Sequence, residues 1–185
     1  SVATISMQLL KRGIRHSAMV GVRPLNLPPR PVVGEAYTLR NIPMREDLSS
    51  PEVLAHRENA QRRAIEEAPE GTVLVIDGRG RGDVAVLGDI LIERLKLRGV
   101  TAIVSDGGVR DAVECLRADF PIYAAGPAAP ASITFHFAAA LQCPIGCGGI
   151  AVIPGDIIVA DGDGVIVVPK ALAPEISRDG LNQER

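Results

Sequence analysis

Between Thr72 and Ala125 the chain alternates short apolar runs with helical patterns, and this alternation restricts the possible folds more than any other feature. Thr72 to Ile76 (TVLVI) is too short for a core helix and suits a strand covered on both faces. Asp77-Gly78 breaks it. Val84 to Leu87 reads as a second strand. Asp89 to Arg98 reads as a helix with Ile92 and Leu95 on one side, ended by Gly99. Val100 to Val104 is another buried strand, Asp106-Gly107-Gly108 a turn, Val109 to Arg117 a helix and Pro121 to Ala125 a strand. Strand and helix in this order build an α/β domain with a largely parallel sheet.

The flanks are less regular. Thr4 to Arg12 is expected to be a helix with Ile5, Leu9 and Leu10 on one face and Gly13 as C-cap. Leu25 to Pro31 (LNLPPRP) is a stiff connector, and Glu35 to Ile42 suits a strand. A long polar helix is expected from a Ser50 cap, with Pro51 at its first position, to about Glu67. After Pro144, the segments Ile150 to Ile153, Asp156 to Ala160 and Val165 to Val168 read as a β-meander joined by tight Gly-Asp turns. Lys170 to Arg185 closes the chain as a helix. With no flexible linker, residues 1–185 read as a single α/β domain with a β-rich C-terminal flap.

Composition removes several classes of function. A net charge of -2 argues against a nucleic-acid binder, which needs clustered Lys and Arg. Aromatic residues are 3% of the chain and Trp is absent, so stacking platforms for single strands are lacking. No apolar run reaches the roughly 18 residues that span a bilayer. Ser1 to Leu10 lacks the pattern of a signal peptide, and the missing initiator Met suggests a natural start further upstream. Three cysteines, Cys115, Cys143 and Cys147, form no CxxC pair and are expected to be reduced thiols of a cytoplasmic protein.

The chemistry concentrates between Gly88 and Glu114. Asp89 follows a strand and opens a helix, and Arg110-Asp111 follow the next strand and open the next helix. Consecutive parallel strands put their carboxyl ends on one rim, where α/β proteins bind ligands, so Asp89 and Asp111 should meet across a crevice. The amides of Asp89, Ile90 and Leu91 after Gly88 form a site for a carboxylate or phosphate. Arg110 adds a planar, permanently charged fork for the same anion. Two carboxylates without paired Cys suit a hard cation, Mg²⁺ or Mn²⁺. Helix capping is the more common reason for an Asp at a helix start, and on spacing alone both readings stand.

Other candidates have simpler explanations. Asp77, Asp106, Asp156, Asp161 and Asp163 each adjoin Gly, as turn residues do. His136 lies in the apolar run SITFHFAAA and reads as a satisfied core or interface histidine. Gly78-Arg79-Gly80-Arg81-Gly82 lacks the Gly-Lys-Ser/Thr ending of a phosphate loop and reads as a turn-forming loop. Cys143 and Cys147 lack further ligands for zinc.

The segment VLVIDGRGRGDVAVLGDILIERLKLRGVTAIVSDGGVRDAVE, followed by PIGCGGIAVIPGDIIVADGDGVIVVP, resembles the regulator-of-ribonuclease-activity-A-like family. That family includes metal-dependent 4-hydroxy-4-methyl-2-oxoglutarate aldolases and oxaloacetate decarboxylases. The most specific element is an acidic residue, twenty intervening residues and Arg-Asp, here Asp89 and Arg110-Asp111, with Glu114 following. The resemblance implies a three-layer fold like the swivelling phosphohistidine domains, assembled as a homotrimer or hexamer. It implies that Asp111 holds one divalent cation directly and Asp89 through water. Arg110 would contact the pyruvyl group, and amides at Ile90 and Leu91 its carboxylate. A Glu from a neighbouring subunit's C-terminal helix would complete the site, and Glu184 is the best match. The implied activity is cleavage of a C–C bond of a 2-oxo acid, by retro-aldol reaction or by decarboxylation of oxaloacetate. The family also contains non-catalytic regulators that bind a ribonuclease. They lack the full motif, which this chain keeps.

Overall fold

The computed structural model describes every residue except Leu27, Pro51, Leu54, Ala55 and Arg185. Helix α1 (Val2–Lys11) opens the chain, capped by the Ser1 hydroxyl on the Thr4 amide. Strands β1 (Arg23–Pro24) and β2 (Val32–Pro43) lead to helix α2 (Ala60–Glu67). The regular centre comprises β3 (Val73–Ile76), β4 (Ala85–Leu87), α3 (Asp89–Leu97), β5 (Ala102–Ser105), β6 (Gly108–Val109), α4 (Ala112–Arg117) and β7 (Ile122–Ala124). Then come β8 (Gly126–Pro127), β9 (His136–Leu141), β10 (Ile145–Cys147), β11 (Ile150–Val152), β12 (Ile157–Asp161), β13 (Gly164–Val168) and α5 (Ala173–Gln183).

The main sheet runs β1-β7-β5-β3-β2-β12-β13, with β9 also paired to β2. Its middle, β2, β3, β5 and β7, is parallel. Side chains alternate across it. Leu74, Ile76 and Ile103 join Ile92, Leu95 and Ile65 beneath the helices. Val73, Val75, Ala102 and Val104 pack on the other face against Ile145, Cys147 and Val152 of the β10–β11 hairpin. Both faces are therefore dry, which is why TVLVI shows no polar alternation. Each buried Leu or Ile contributes about 1.5–3 kcal/mol. A third cluster, with Leu9, Val159, Ile166 and Ile176, seats α1 and α5 on β12 and β13.

Four expectations are corrected. The long helix before Glu67 is interrupted: Glu52 and Val53 are helical, residues 56–59 are not, and a separate helix Ala60–Glu67 starts where the Asn59 side chain accepts from the Gln61 and Arg62 amides. The proposed Pro51 position lies outside the described residues, as do Leu27 of the connector and Arg185 of the closing helix. The helix placed at Val109 begins at Ala112, since Gly108–Val109 pairs with Ala85–Leu87 as β6. The C-terminal strands are not a flap or a meander. β10–β11 is one hairpin and β12–β13 another, and β12 pairs with β2 inside the main sheet, Ile158 opposite Gly34. Finally, Leu10 faces outward at 49% exposed, while Leu9 is fully buried.

A third, smaller sheet positions the candidate residues. β4, β6 and β8 form a small parallel sheet apart from the main one. Asp89 and Arg110-Asp111 thus follow neighbouring parallel strands, β4 and β6, but not the long core strand Val100–Val104 expected to precede Arg110. Gly78 and Gly107 make this arrangement possible: an added Cβ at Gly78 would lie 2.2 Å from the Gly107 nitrogen.

Candidate active site

The start of α3 and the start of α4 converge on one cavity of about 480 Å³. Gly88, Asp89, Ile90, Leu91, Arg110 and Asp111 all line it. Two parallel strands end side by side here, fastened by the Arg110 amide donating to the Leu87 carbonyl at 2.9 Å. The closest measure of convergence is at Gly88. A Cβ on that residue would stand 2.6 Å from Asp111 Oδ2 and 3.5 Å from the Arg110 Cβ. The Asp111 carboxylate therefore lies against the first residue of the α3 cap, although 22 residues separate the two in sequence.

The capping explanation fails for Asp111. It occupies the N-cap position of α4 with φ of 52°, and its side chain makes no capping hydrogen bond. Asp tolerates the left-handed region better than most residues. That backbone turns the carboxylate away from its own helix and towards Gly88. At α3 the N-cap is Gly88, and Asp89 stands in the first turn. Asp89 Oδ1 accepts from the Ile90 amide at 2.7 Å, so that amide, expected to bind substrate, is engaged by its own neighbour. Ile92 donates to the Gly88 carbonyl as an ordinary helical bond. Asp89 lines the same cavity as Asp111.

Among the described residues, no group of three or more His, Cys, Asp or Glu is placed to hold a metal. The donor set in one chain is therefore two carboxylates in a roomy cavity. That set fits a hydrated Mg²⁺ or Mn²⁺, which keeps several waters and takes one or two carboxylates. It does not fit structural zinc. Cys115 lies next to the site, its Sγ donating to the Arg110 carbonyl. Burial, reinforced by the charges of Asp89 and Asp111, pushes its thiol up to about 11. It stays protonated at neutral pH and is no nucleophile.

Glu184 does not line this cavity.

Sequence reading missed the opposite wall, built by Gln61, Arg62 and Ile65 of α2 and by Ala131, Ser132 and Ile133. Gln61 Nε2 donates to the Val86 carbonyl at 2.6 Å, tying α2 to the strand that leads into Gly88. The signal available was Asn59-Ala60 followed by Gln61-Arg62-Arg63: a cap that aims polar residues of the first turn at whatever α2 covers. Arg62 brings a second guanidinium to a cavity that already contains Arg110.

The turn residues behave as expected. Asp77 accepts from the Arg79 amide and Asp161 from the Asp163 amide. Asp106 does more, receiving the amides of Gly78, Gly80 and Gly148 and so binding three segments together. His136 departs from expectation. It is buried, 3% exposed, but neither ring nitrogen has a hydrogen-bond partner among the described residues. Among those residues, no helix is long and apolar enough to cross a membrane.

Comparison with known proteins identifies the family. A protein of Halalkalibacterium halodurans, provisionally named as a 4-hydroxy-4-methyl-2-oxoglutarate aldolase, is 39% identical over 108 residues, 58% of this chain and 51% of that protein. A second provisionally named aldolase of the same kind, from Ectopseudomonas mendocina, is 34% identical over 122 residues, 65% of this chain and 75% of that protein. The chain thus spans about half the length of the first relative. The crystal structure of Streptomyces coelicolor RraAS2, described as an unusual member of the RNase ES inhibitor RraA protein family, superposes with a TM-score of 0.85 and 36% identity. The match covers 100% of this chain and 87% of that one. The RraA-like family profile, described as Aldolase/RraA, matches residues 2–167, and the chain belongs to that family.

Proposed function

We propose that the protein is a divalent-metal-dependent lyase that cleaves a C–C bond of a 2-oxo acid, by retro-aldol reaction to pyruvate or by decarboxylation of oxaloacetate. The observation that carries this reading is the Asp111 carboxylate, unspent on its own helix, lying against Gly88 in one cavity with Asp89 and Arg110. Asp111 would hold Mg²⁺ or Mn²⁺ directly and Asp89 would hold it through water. The cation would supply Lewis-acid stabilisation of the negative charge that develops as the bond breaks. Arg110 binds the 2-oxo carboxylate through its two-pronged donor face. The Leu91 amide, at the positive end of α3, assists it. Asp89 holds a water in position to return a proton to the enolate carbon. No lysine is among the cavity's lining residues, so a Schiff base has no candidate amine there.

The three-layer swivelling architecture and a homotrimer or hexamer belong to the same reading. Glu184 of a neighbouring subunit would then approach the cation. A second reading, a non-catalytic regulator that binds a ribonuclease, is favoured by the 36% identity to RraAS2 over the full chain. The discriminating experiment offers oxaloacetate and a panel of 4-hydroxy-2-oxo acids to the protein with Mg²⁺, with Mn²⁺ and with chelator. Pyruvate release that needs the metal supports the lyase. No release from any substrate, with tight binding to a ribonuclease, would replace it by the regulator.

A further inference from the structure

Directly behind the substrate wall lies a void of about 10 Å³. Ser49, Asn59, Gln61, Ser132 and His136 contribute polar groups to its lining. Three buried polar atoms without hydrogen-bond partners among the described residues meet here: Ser49 Oγ and both ring nitrogens of His136. Gln61, Ser132 and Ile133 are shared, because these three residues also line the 480 Å³ cavity that contains Asp89, Arg110 and Asp111.

An orphaned buried donor or acceptor costs about 1–3 kcal/mol, so a hydroxyl and a ring nitrogen at one place call for a shared partner; the two ring nitrogens point apart, and one water reaches one of them. The volume decides what that partner is. About 10–15 Å³ holds one water, which needs two to four polar contacts. A neutral imidazole offers one donor and one acceptor, and a serine hydroxyl offers both. Burial together with Arg79 and Arg81 keeps the ring neutral, its pKa lowered to about 4.

We propose that Ser49 and His136 bind one structural water in this cell, and that through it His136 positions Gln61 and Ser132 in the wall of the substrate cavity. His136 is thus a positioning residue. The fold supports this: His136 begins β9 and pairs with Pro43 of β2, a rigid sheet position. Gln61 in turn holds the Val86 carbonyl, three residues before Asp89. The kinetic part of the inference rests on the lyase reading, while the water does not.

The test has two arms. In the first, His136→Leu removes both nitrogens and keeps an apolar filling, His136→Asn keeps a donor and an acceptor, and Ser49→Ala removes the hydroxyl. For the intact protein with Mn²⁺ and its best 2-oxo acid, His136→Leu should raise KM about tenfold with kcat changed less. Ser49→Ala should raise KM severalfold and His136→Asn should recover most of the loss, all with little change in Tm. KM and kcat within twofold of wild type in the Leu and Ala variants would overturn the positioning role. A failure of the Leu variant to fold leaves the Ser49→Ala kinetics to decide. In the second arm, a high-resolution crystal structure should show one ordered water within about 3.2 Å of both the His136 ring and Ser49 Oγ. A direct His136–Ser49 bond or a dry cell would overturn it. If the wild type cleaves no 2-oxo acid, the lyase reading falls, and the second arm still decides the water.

Discussion

Gly88→Ala separates the site from the fold with a single methyl group. The glycine has φ of -136° and ψ of -171°, extended backbone that any residue adopts, so the substitution carries no conformational penalty. The new methyl would meet Asp111 Oδ2 at 2.6 Å. A carbon and an oxygen in contact stand about 3.3 Å or more apart, so the carboxylate must retreat by about 0.7 Å. Asp111 is exposed, and the contacting atom is the far end of its side chain, so the retreat costs the fold under about 1 kcal/mol. A metal-ligand distance tolerates only about 0.2 Å. Disturbing a ligand's support typically costs 10- to 100-fold in metal affinity, about 1.4–2.7 kcal/mol. The assay is Mn²⁺ binding by calorimetry beside thermal unfolding of the same sample. Expected are a Tm within about 4 °C of wild type and Mn²⁺ affinity lower by at least tenfold. Unchanged affinity would refute the placement of the cation on Asp111. A Tm lower by 10 °C or more would show that Gly88 serves packing instead.

Asp111→Asn keeps the left-handed backbone and removes the charge. It should lower kcat/KM at least 10²-fold with Tm nearly unchanged, read by steady-state kinetics and melting. Arg110→Lys keeps charge but loses the two-pronged geometry, and should lower kcat/KM on the order of 10²-fold, the scale of one lost transition-state donor. Mixing Asp111→Ala chains with Glu184→Ala chains should restore part of the activity if the site is shared between subunits, whereas no recovery after proven subunit exchange would remove Glu184 from it. His136 has a folded-state pKa of about 4, below its ordinary value of about 6.5. The unfolded chain therefore binds its proton first as pH falls. The stability from the neutral buried ring is complete above pH 6.5 and lost progressively towards pH 4, by at most about 3 kcal/mol. Denaturant unfolding at several pH values should show that slope in the wild type and a shallower one in His136→Leu.

The parts of the fold legible in sequence are those decided locally. Apolar runs such as TVLVI specify strands because their period and length fit nothing else. Asp89 and Arg110-Asp111 are legible because short parallel strands deliver their ends to a common rim. What stayed hidden depends on distant partners. The strand β9, in FHFAAAL, carries no alternation, and only its pairing with β2 makes it extended. Of the small sheet β4-β6-β8, only β4 is legible, while β6 and β8, two residues each, lie below any periodic signal. The insertion of β12 beside β2 joins residues more than 120 positions apart. Gln61 and Arg62 are hidden because Ser50-Pro51 is itself a good helix start, and it masks the Asn59 cap that aims them. His136 was legible as buried but not as unsatisfied, since partners are a property of the packed chain.

The central claim is that Asp111 and Arg110 form a metal-dependent catalytic site, and it is tested most directly by pyruvate release from oxaloacetate and 4-hydroxy-2-oxo acids. The wild type, Asp111→Asn and Arg110→Lys would be titrated with Mn²⁺ from chelated to saturated. The account predicts wild-type turnover that rises with bound Mn²⁺ and vanishes with chelator. It also predicts an Asp111→Asn curve displaced to much higher metal or flat, and an Arg110→Lys curve of normal metal dependence with a depressed plateau. Turnover independent of metal, or equal in all three proteins, would contradict it.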